Sequence, residues 1–144
     1  MTNHDAGDGD TLLGTAHVDS GEAAYAQSIR AGHHTLTADE PAALGGGDTG
    51  PAPYGLLMSA LGACTSITLR MYAERKGWTW RPLRVDLAIV RDAAGEERIT
   101  RTLRFAAGLT DEQQAKLAEI AEKTPVTKTI KRGTSIQTRI GAPL

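Results

Sequence analysis

SALGACTSITLRMYAERKGW, residues Ser59–Trp78, decides how this chain folds. Extended back to Tyr54 and cut at Lys76, it keeps one helical period throughout. Leu57, Ala60, Cys64, Ile67 and Met71 fall at i, i+3, i+7, i+10 and i+14, one continuous stripe. Leu61, Thr65, Thr68 and Tyr72 make a second stripe beside it. Polar residues gather only at the end, and Gly77 is a good C-terminal stop. A helix this apolar over its first turns is buried on most sides rather than lying on a surface. The pattern predicts a central helix wrapped by sheet, supplied by one subunit or by two.

The same helix carries the only cysteine, Cys64. Free cysteine is among the most buried residue types and packs as a small hydrophobe, which suits the stripe. A reactive thiol needs a nearby cation or a helix N-terminus. Cys64 lies about three turns into its helix, beyond the reach of the macrodipole, so a cation would have to come from elsewhere in the fold. Both readings stay open on position alone.

Upstream, EPAALGGGDTGPAPYG (40–55) holds three consecutive glycines, Asp48-Thr49-Gly50 and prolines, and is no regular element. It reads as an ordered loop ending at a helix start, with Pro53 in the first turn. Before it, TLLGTAHVD (11–19), AAYAQSIRA (23–31) and HHTLTADE (33–40) read as strands of an antiparallel meander, with Tyr25, Gln27 and Ile29 on one side. Residues 1–10 are rich in Gly and Asp and read as a flexible tail; residues 11–144 read as one domain.

Downstream, LRVDLAIVR (83–91) and RITRTLRFA (98–106) alternate at period two around DAAGEE and predict a hairpin. Ile99, Leu103 and Phe105 face the core, with Arg98 and Arg104 nearer solvent. GLTDEQQAKLAEIAEKTP (108–125) predicts a second helix. Thr110 is its N-cap, Gln113 completes a capping box, Leu117, Ile120 and Ala121 are its buried face, and Pro125 ends it. EKTPVTKTIKRG (122–133) reads as an exposed helix exit and edge strand, and GTSIQTRIG (133–141) as a last short strand. The sum is α+β, with antiparallel sheet and two main helices.

Sixteen basic and 17 acidic residues leave a net charge of −1, no electrostatic footprint for nucleic acid or an anionic membrane. Aromatics are 4%, too few for base-stacking platforms. No run reaches the ~18 consecutive apolar residues of a membrane span, and the acidic N-terminus is unlike a signal peptide; the expectation is a cytoplasmic protein. One cysteine excludes an internal disulfide and a multi-cysteine zinc site. His33 and His34 are neighbours on a strand and point to opposite faces, His4 lies in the tail and His17 is isolated, so no metal and no cofactor are expected. GGGDTGP (45–51) lacks the Lys-Ser/Thr of a phosphate loop.

Together, DEPAALGGGDTGPAPYGLLMSALGACTSITLRMYAERKGW (39–78) and AEKTPVTKTIKRGTSIQT (121–138) resemble the OsmC/Ohr superfamily, most of all its OsmC-like branch near YhfA. The resemblance runs from about His33 to Thr138. It implies an intertwined homodimer with long central helices at the core and sites at the dimer interface. It implies thiol-dependent reduction of organic hydroperoxides in oxidative stress defence. The cysteine of ALGACT, here Cys64, is then the peroxidatic one and passes through a sulfenic acid. The family's resolving cysteine, in its KCPV motif, falls on Thr124 of KTPV. The family's Glu, which holds an Arg beside the thiol, falls near Tyr54 and Gly55, neither of them acidic; Arg30 is the candidate for the Arg. The pocket implied here takes in Tyr54, Gly55, Leu57 and Thr65. Two functions follow: a one-cysteine peroxidase using an external thiol reductant, or a diverged protein that binds a small apolar ligand in the interface pocket.

Overall fold

The structure is a computed structural model, and it describes residues 8–143. Most of the tail expected at residues 1–10, His4 included, lies outside the described residues. The fold is α+β, with three α-helices and two small antiparallel sheets. It divides into two compact units, one ending at Leu56 and one beginning at Leu57, so the boundary falls within the first turn of the long helix.

The N-terminal unit is a three-stranded meander: β1 (His17–Ser20), β2 (Gln27–Ala31) and β3 (His34–Ala38), with β2 in the centre. Ala31 pairs with His34, leaving a two-residue turn. Gly32 takes φ +60° at its first position, the place where such a hairpin turn demands glycine. The first strand is shorter than expected: residues 11–16 form no strand, and pairing with β2 begins at His17 opposite Arg30. Tyr25 precedes β2 and is exposed, while Gln27 and Ile29 are half-buried.

Between β3 and the long helix, the glycine-rich loop is ordered by one side chain. Asp39 is buried, and its carboxylate accepts from the N–H of Glu40 (2.8 Å), Gly47 (3.1 Å) and Thr49 (3.1 Å) and from Thr49 Oγ1 (2.7 Å). Four donors hold the carboxyl below the usual aspartate range, the Thr49 hydroxyl contributing most. The glycines are required by proximity: a Cβ on Gly46 would sit 1.9 Å from the Glu40 carbonyl oxygen, and one on Gly50 would sit 2.2 Å from that of Thr37. The loop does contain one regular turn, a 3-10 helix at Ala42–Leu44.

The long helix α1 (Pro53–Arg75) runs as the sequence predicts, and Gly77 follows it at φ +68°. Its buried line is Leu61, Thr65, Leu69 and Ala73, spaced by four. The other stripe is open in the single chain: Ile67 and Met71 are 59% and 58% exposed, and Leu57 39%. The expectation of burial on most sides therefore holds for one stripe only within this chain. By length and composition alone α1 is apolar enough to cross a membrane, but a core helix passes the same test.

The C-terminal unit continues with the hairpin β4 (Leu83–Arg91) and β5 (Glu97–Phe105), then α2 (Asp111–Ala121) and α3 (Pro125–Arg132). A Cβ on Gly62 would lie 3.0 Å from Leu87 Cδ1, so the helix meets the hairpin closely there. Leu69, Leu109, Leu117 and Ala121 form the core, with Leu103, Phe105, Trp78 and Trp80 against it. The capping box is present in full: Thr110 Oγ1 accepts from Gln113 N, and the Gln113 side chain accepts from Thr110 N.

Three expectations fail beyond α2. The helix ends at Ala121, and Pro125 starts a helix instead of stopping one. Its ring needs no N–H at the first helical position, and Thr124 takes the extended geometry that a residue before proline prefers. The expected helix exit and edge strand at 122–133 is thus mainly α3. Residues 133–141 are exposed and form no strand, and none of the described strands pairs with them.

Candidate functional site

Cys64 is a free, half-buried thiol on α1. Leu57, Leu61 and Cys64 share one helix face at i, i+4 and i+7. Leu57 and Leu61 line a cavity of about 490 Å³ in the C-terminal unit, together with Ile89, Ile99, Ile130 and Arg101. Cys64 is not among its lining residues; it follows Leu61 by one turn along the same face.

The residue after Cys64 anchors a polar network. Thr65 is fully buried, and its hydroxyl donates to the Leu61 carbonyl at 2.7 Å. Its oxygen accepts from Arg101 Nη1 at 3.0 Å. The same Nη1 donates to Thr127 Oγ1 at 2.9 Å, and Arg101 Nη2 donates to Glu122 Oε1 at 3.0 Å. Thr127 donates its single proton to the Ala121 carbonyl at 3.2 Å, so Thr124 must donate across the 2.7 Å hydroxyl pair. The hydroxyl protons of Thr124, Thr127 and Thr65 then each have one destination.

Electrostatics follow from that arrangement. The Arg101 side chain is only 11% exposed, a depth that a guanidinium tolerates when paired and hydrogen-bonded. Glu122 is shared between Arg101 and Lys131, which binds its other oxygen. Lys131 first, then Arg101, hold the Glu122 carboxyl below its ordinary range.

The residues singled out from sequence divide between the units. Thr65 and Thr124 are both fully buried and are joined through Arg101 and Thr127. Leu57 lines the cavity. Arg30 is exposed on β2, and Tyr54 (49% exposed) and Gly55 stand in the first turn of α1; all three belong to the N-terminal unit. Sequence reasoning missed Arg101, Glu122 and Thr127. Arg101 shares strand parity with Ile99 and Leu103, which was a usable signal for an inward side chain. Among the described residues, no three His, Cys, Asp or Glu side chains are placed to hold a metal ion.

The family model described as OsmC-like protein matches residues 45–139. No curated protein matches the sequence significantly. Solved structures are similar across most of the chain. A candidate osmotic stress induced and detoxification response protein from Psychrobacter arcticus 273-4 superposes with a TM-score of 0.70 at 19% identity, over 83% of this chain and 90% of that one. An OsmC-like protein from Mycoplasma pneumoniae gives 0.68 at 17% identity, over 86% and 89%. The organic hydroperoxide resistance protein OhrB of Bacillus subtilis gives 0.59 at 22% identity, over 83% and 91%.

Proposed function

Because the chain belongs to the OsmC-like family, we propose that it reduces organic hydroperoxides with a single cysteine, Cys64, and an external thiol. The observation that carries this reading is the line Leu57–Leu61–Cys64. An aliphatic cavity is floored by the first two, and the only thiol follows on the same helix face. A hydroperoxide with its organic part in the cavity would place its O–O bond toward Cys64.

The chemistry balances with one sulfur. The Cys64 thiolate attacks the distal peroxide oxygen and the O–O bond breaks. Sulfur is oxidised to the sulfenic acid, and the alkoxide leaves and takes a proton to become the alcohol. A first external thiol condenses with the sulfenic acid, releasing water and giving a mixed disulfide. A second thiol, as thiolate, displaces Cys64 and restores it. Thr124 stands where a resolving cysteine would, and its hydroxyl is already committed to Thr127, so no internal disulfide is available.

We further propose a homodimer in the cytoplasm. The open stripe of α1, with Ile67 and Met71 more than half exposed, is the surface a second copy would cover. A free cysteine with no partner cysteine suits a reducing compartment. A second reading is supported by the cavity itself, which has five leucines and isoleucines in its wall and does not include Cys64: binding of a small apolar molecule without peroxide chemistry.

The test is single-turnover oxidation by cumene hydroperoxide, followed with a sulfenate trap and intact mass, beside Cys64→Ser. Saturable sulfenate formation, absent from the variant, is expected. Oxidation no faster than that of free cysteine would discard the peroxidase reading and leave the binding one.

A further inference from the structure

Arg101 is placed to do more than hold Thr65 and Thr127. Its guanidinium has five N–H donors. Two on Nη1 go to the threonines and one on Nη2 goes to Glu122. That leaves Nε–H and a second Nη2–H without a protein partner among the described residues. Every buried side-chain nitrogen or oxygen among those residues is hydrogen-bonded, so the unbonded Nε opens onto accessible space. Arg101 lines the cavity of Leu57 and Leu61, and it also lines a smaller hollow with Leu103, Phe105 and Gln114.

The charge count at the cavity points the same way. Glu122 is the single carboxylate serving both Arg101 and Lys131. Glu97 is engaged by Arg91, and Arg98 adds a further cation to the lining. Glu97 and Glu122 against Arg98, Arg101 and Lys131 leave one positive charge on the wall. The rest of that wall is chiefly Leu57, Leu61, Ile89, Ile99 and Ile130. At about 490 Å³ the cavity lies within the range of small-molecule sites, about 300–1,000 Å³.

We propose that this cavity binds an aliphatic monocarboxylate, its chain against the leucines and isoleucines and its carboxylate on the two unbonded N–H groups of Arg101. The site rests on the cavity being a binding site and does not need Cys64. An anion there adds a second carboxylate beside Glu122 and neutralises the excess cation. A neutral molecule of the same length gains the apolar contact alone.

Calorimetric titration of the whole protein with octanoate and with octanol tests it, in the wild type and in Cys64→Ser. Octanoate binds at least about tenfold more tightly than octanol, with an affinity that falls as salt rises. Cys64→Ser binds octanoate as the wild type does. Arg101→Gln abolishes the preference and leaves octanol binding in place. Leu57→Trp, a change at a partly exposed position that fills the cavity, weakens both ligands and keeps the test decisive if Arg101→Gln fails to fold. Equal affinity for the two ligands, no binding of octanoate, or a folded Arg101→Gln that keeps the preference overturns the proposal. Sulfenate formation at Cys64 is read separately, so either result stands without the other.

Discussion

Arg101 on β5 donates a 3.0 Å hydrogen bond to the buried hydroxyl of Thr65 on α1, thirty-six residues away in sequence. That bond ties the hairpin to the helix at the residue following Cys64, and the same guanidinium reaches Thr127 on α3. Replacing Arg101 by Met leaves two threonine oxygens short of a donor and Glu122 with Lys131 alone. The expected loss is about 2 kcal/mol, within the range for hydrogen bonds to charged groups. Lys at 101 recovers only part of it, because a point charge cannot serve three acceptors in fixed directions. Urea unfolding measures both; a Met variant within about 0.5 kcal/mol of wild type would show that the network contributes little.

Thr124 is the next link. Its hydroxyl is fully buried and donates to Thr127. Thr124→Val keeps the shape and removes the donor, and about 1 kcal/mol of stability is expected to go with it. Thr124→Ser keeps the bond and loses a methyl group. A Val variant as stable as wild type by thermal unfolding would show that the Thr124–Thr127 bond contributes little.

Asp39 sets the acid limit of the N-terminal unit. Its carboxyl lies below the ordinary aspartate range, chiefly through the Thr49 hydroxyl. The unfolded chain therefore takes up this proton at higher pH than the folded one. The contribution is fully present above the ordinary aspartate value, about 3.9, and is lost as pH falls through the lower folded value. Glu119 and Glu122 are shifted the same way and are lost over their own acid window. Asp39→Asn should be less stable at neutral pH and flatter in acid. Circular dichroism from pH 7 to 2 measures it, and parallel acid curves would refute the assignment.

Two glycines of adjoining segments should respond oppositely to alanine. At Gly50 the new Cβ meets the Thr37 carbonyl at 2.2 Å, which backbone must move to relieve; a loss of about 1–3 kcal/mol is expected. At Gly55 the nearest atom is Pro51 Cβ at 3.7 Å, an ordinary contact, and the site is helical. Alanine there gains helix propensity, up to about 1 kcal/mol. Melting temperatures moving in the same direction would undo the contrast.

How much was legible depended on how local the cause was. The α1 period, the Gly77 stop and the Thr110–Gln113 box are written within a few residues, and each is found where the pattern places it. Pro125 was ambiguous because proline both ends one helix and suits the first position of the next. The three residues from Glu122 to Thr124 are enough to make both true. The sequence at 133–141 alternates like a strand, yet a strand needs a pairing partner, and none of the described strands pairs with it. Arg101 was hidden by its charge: alternation marks its parity as inward, but only Glu122 and the threonines of two helices make burial tolerable. Which stripe of α1 this chain covers was not legible either, since both are apolar and tertiary packing selects 61–65–69–73.

The Asp39 clasp has a kinetic consequence. Its most distant partner, Thr49, is ten residues away, and the clasp leads straight to the proline that opens α1. Loops of about ten residues close in about 10–100 ns, long before a hairpin forms at about 1–10 μs. The segment that launches the longest helix can therefore find its geometry early, without waiting for contacts far along the chain. Weakening the clasp with Thr49→Val should slow refolding more than it speeds unfolding, and stopped-flow rates for the variant decide whether the loop acts before or after the folding barrier.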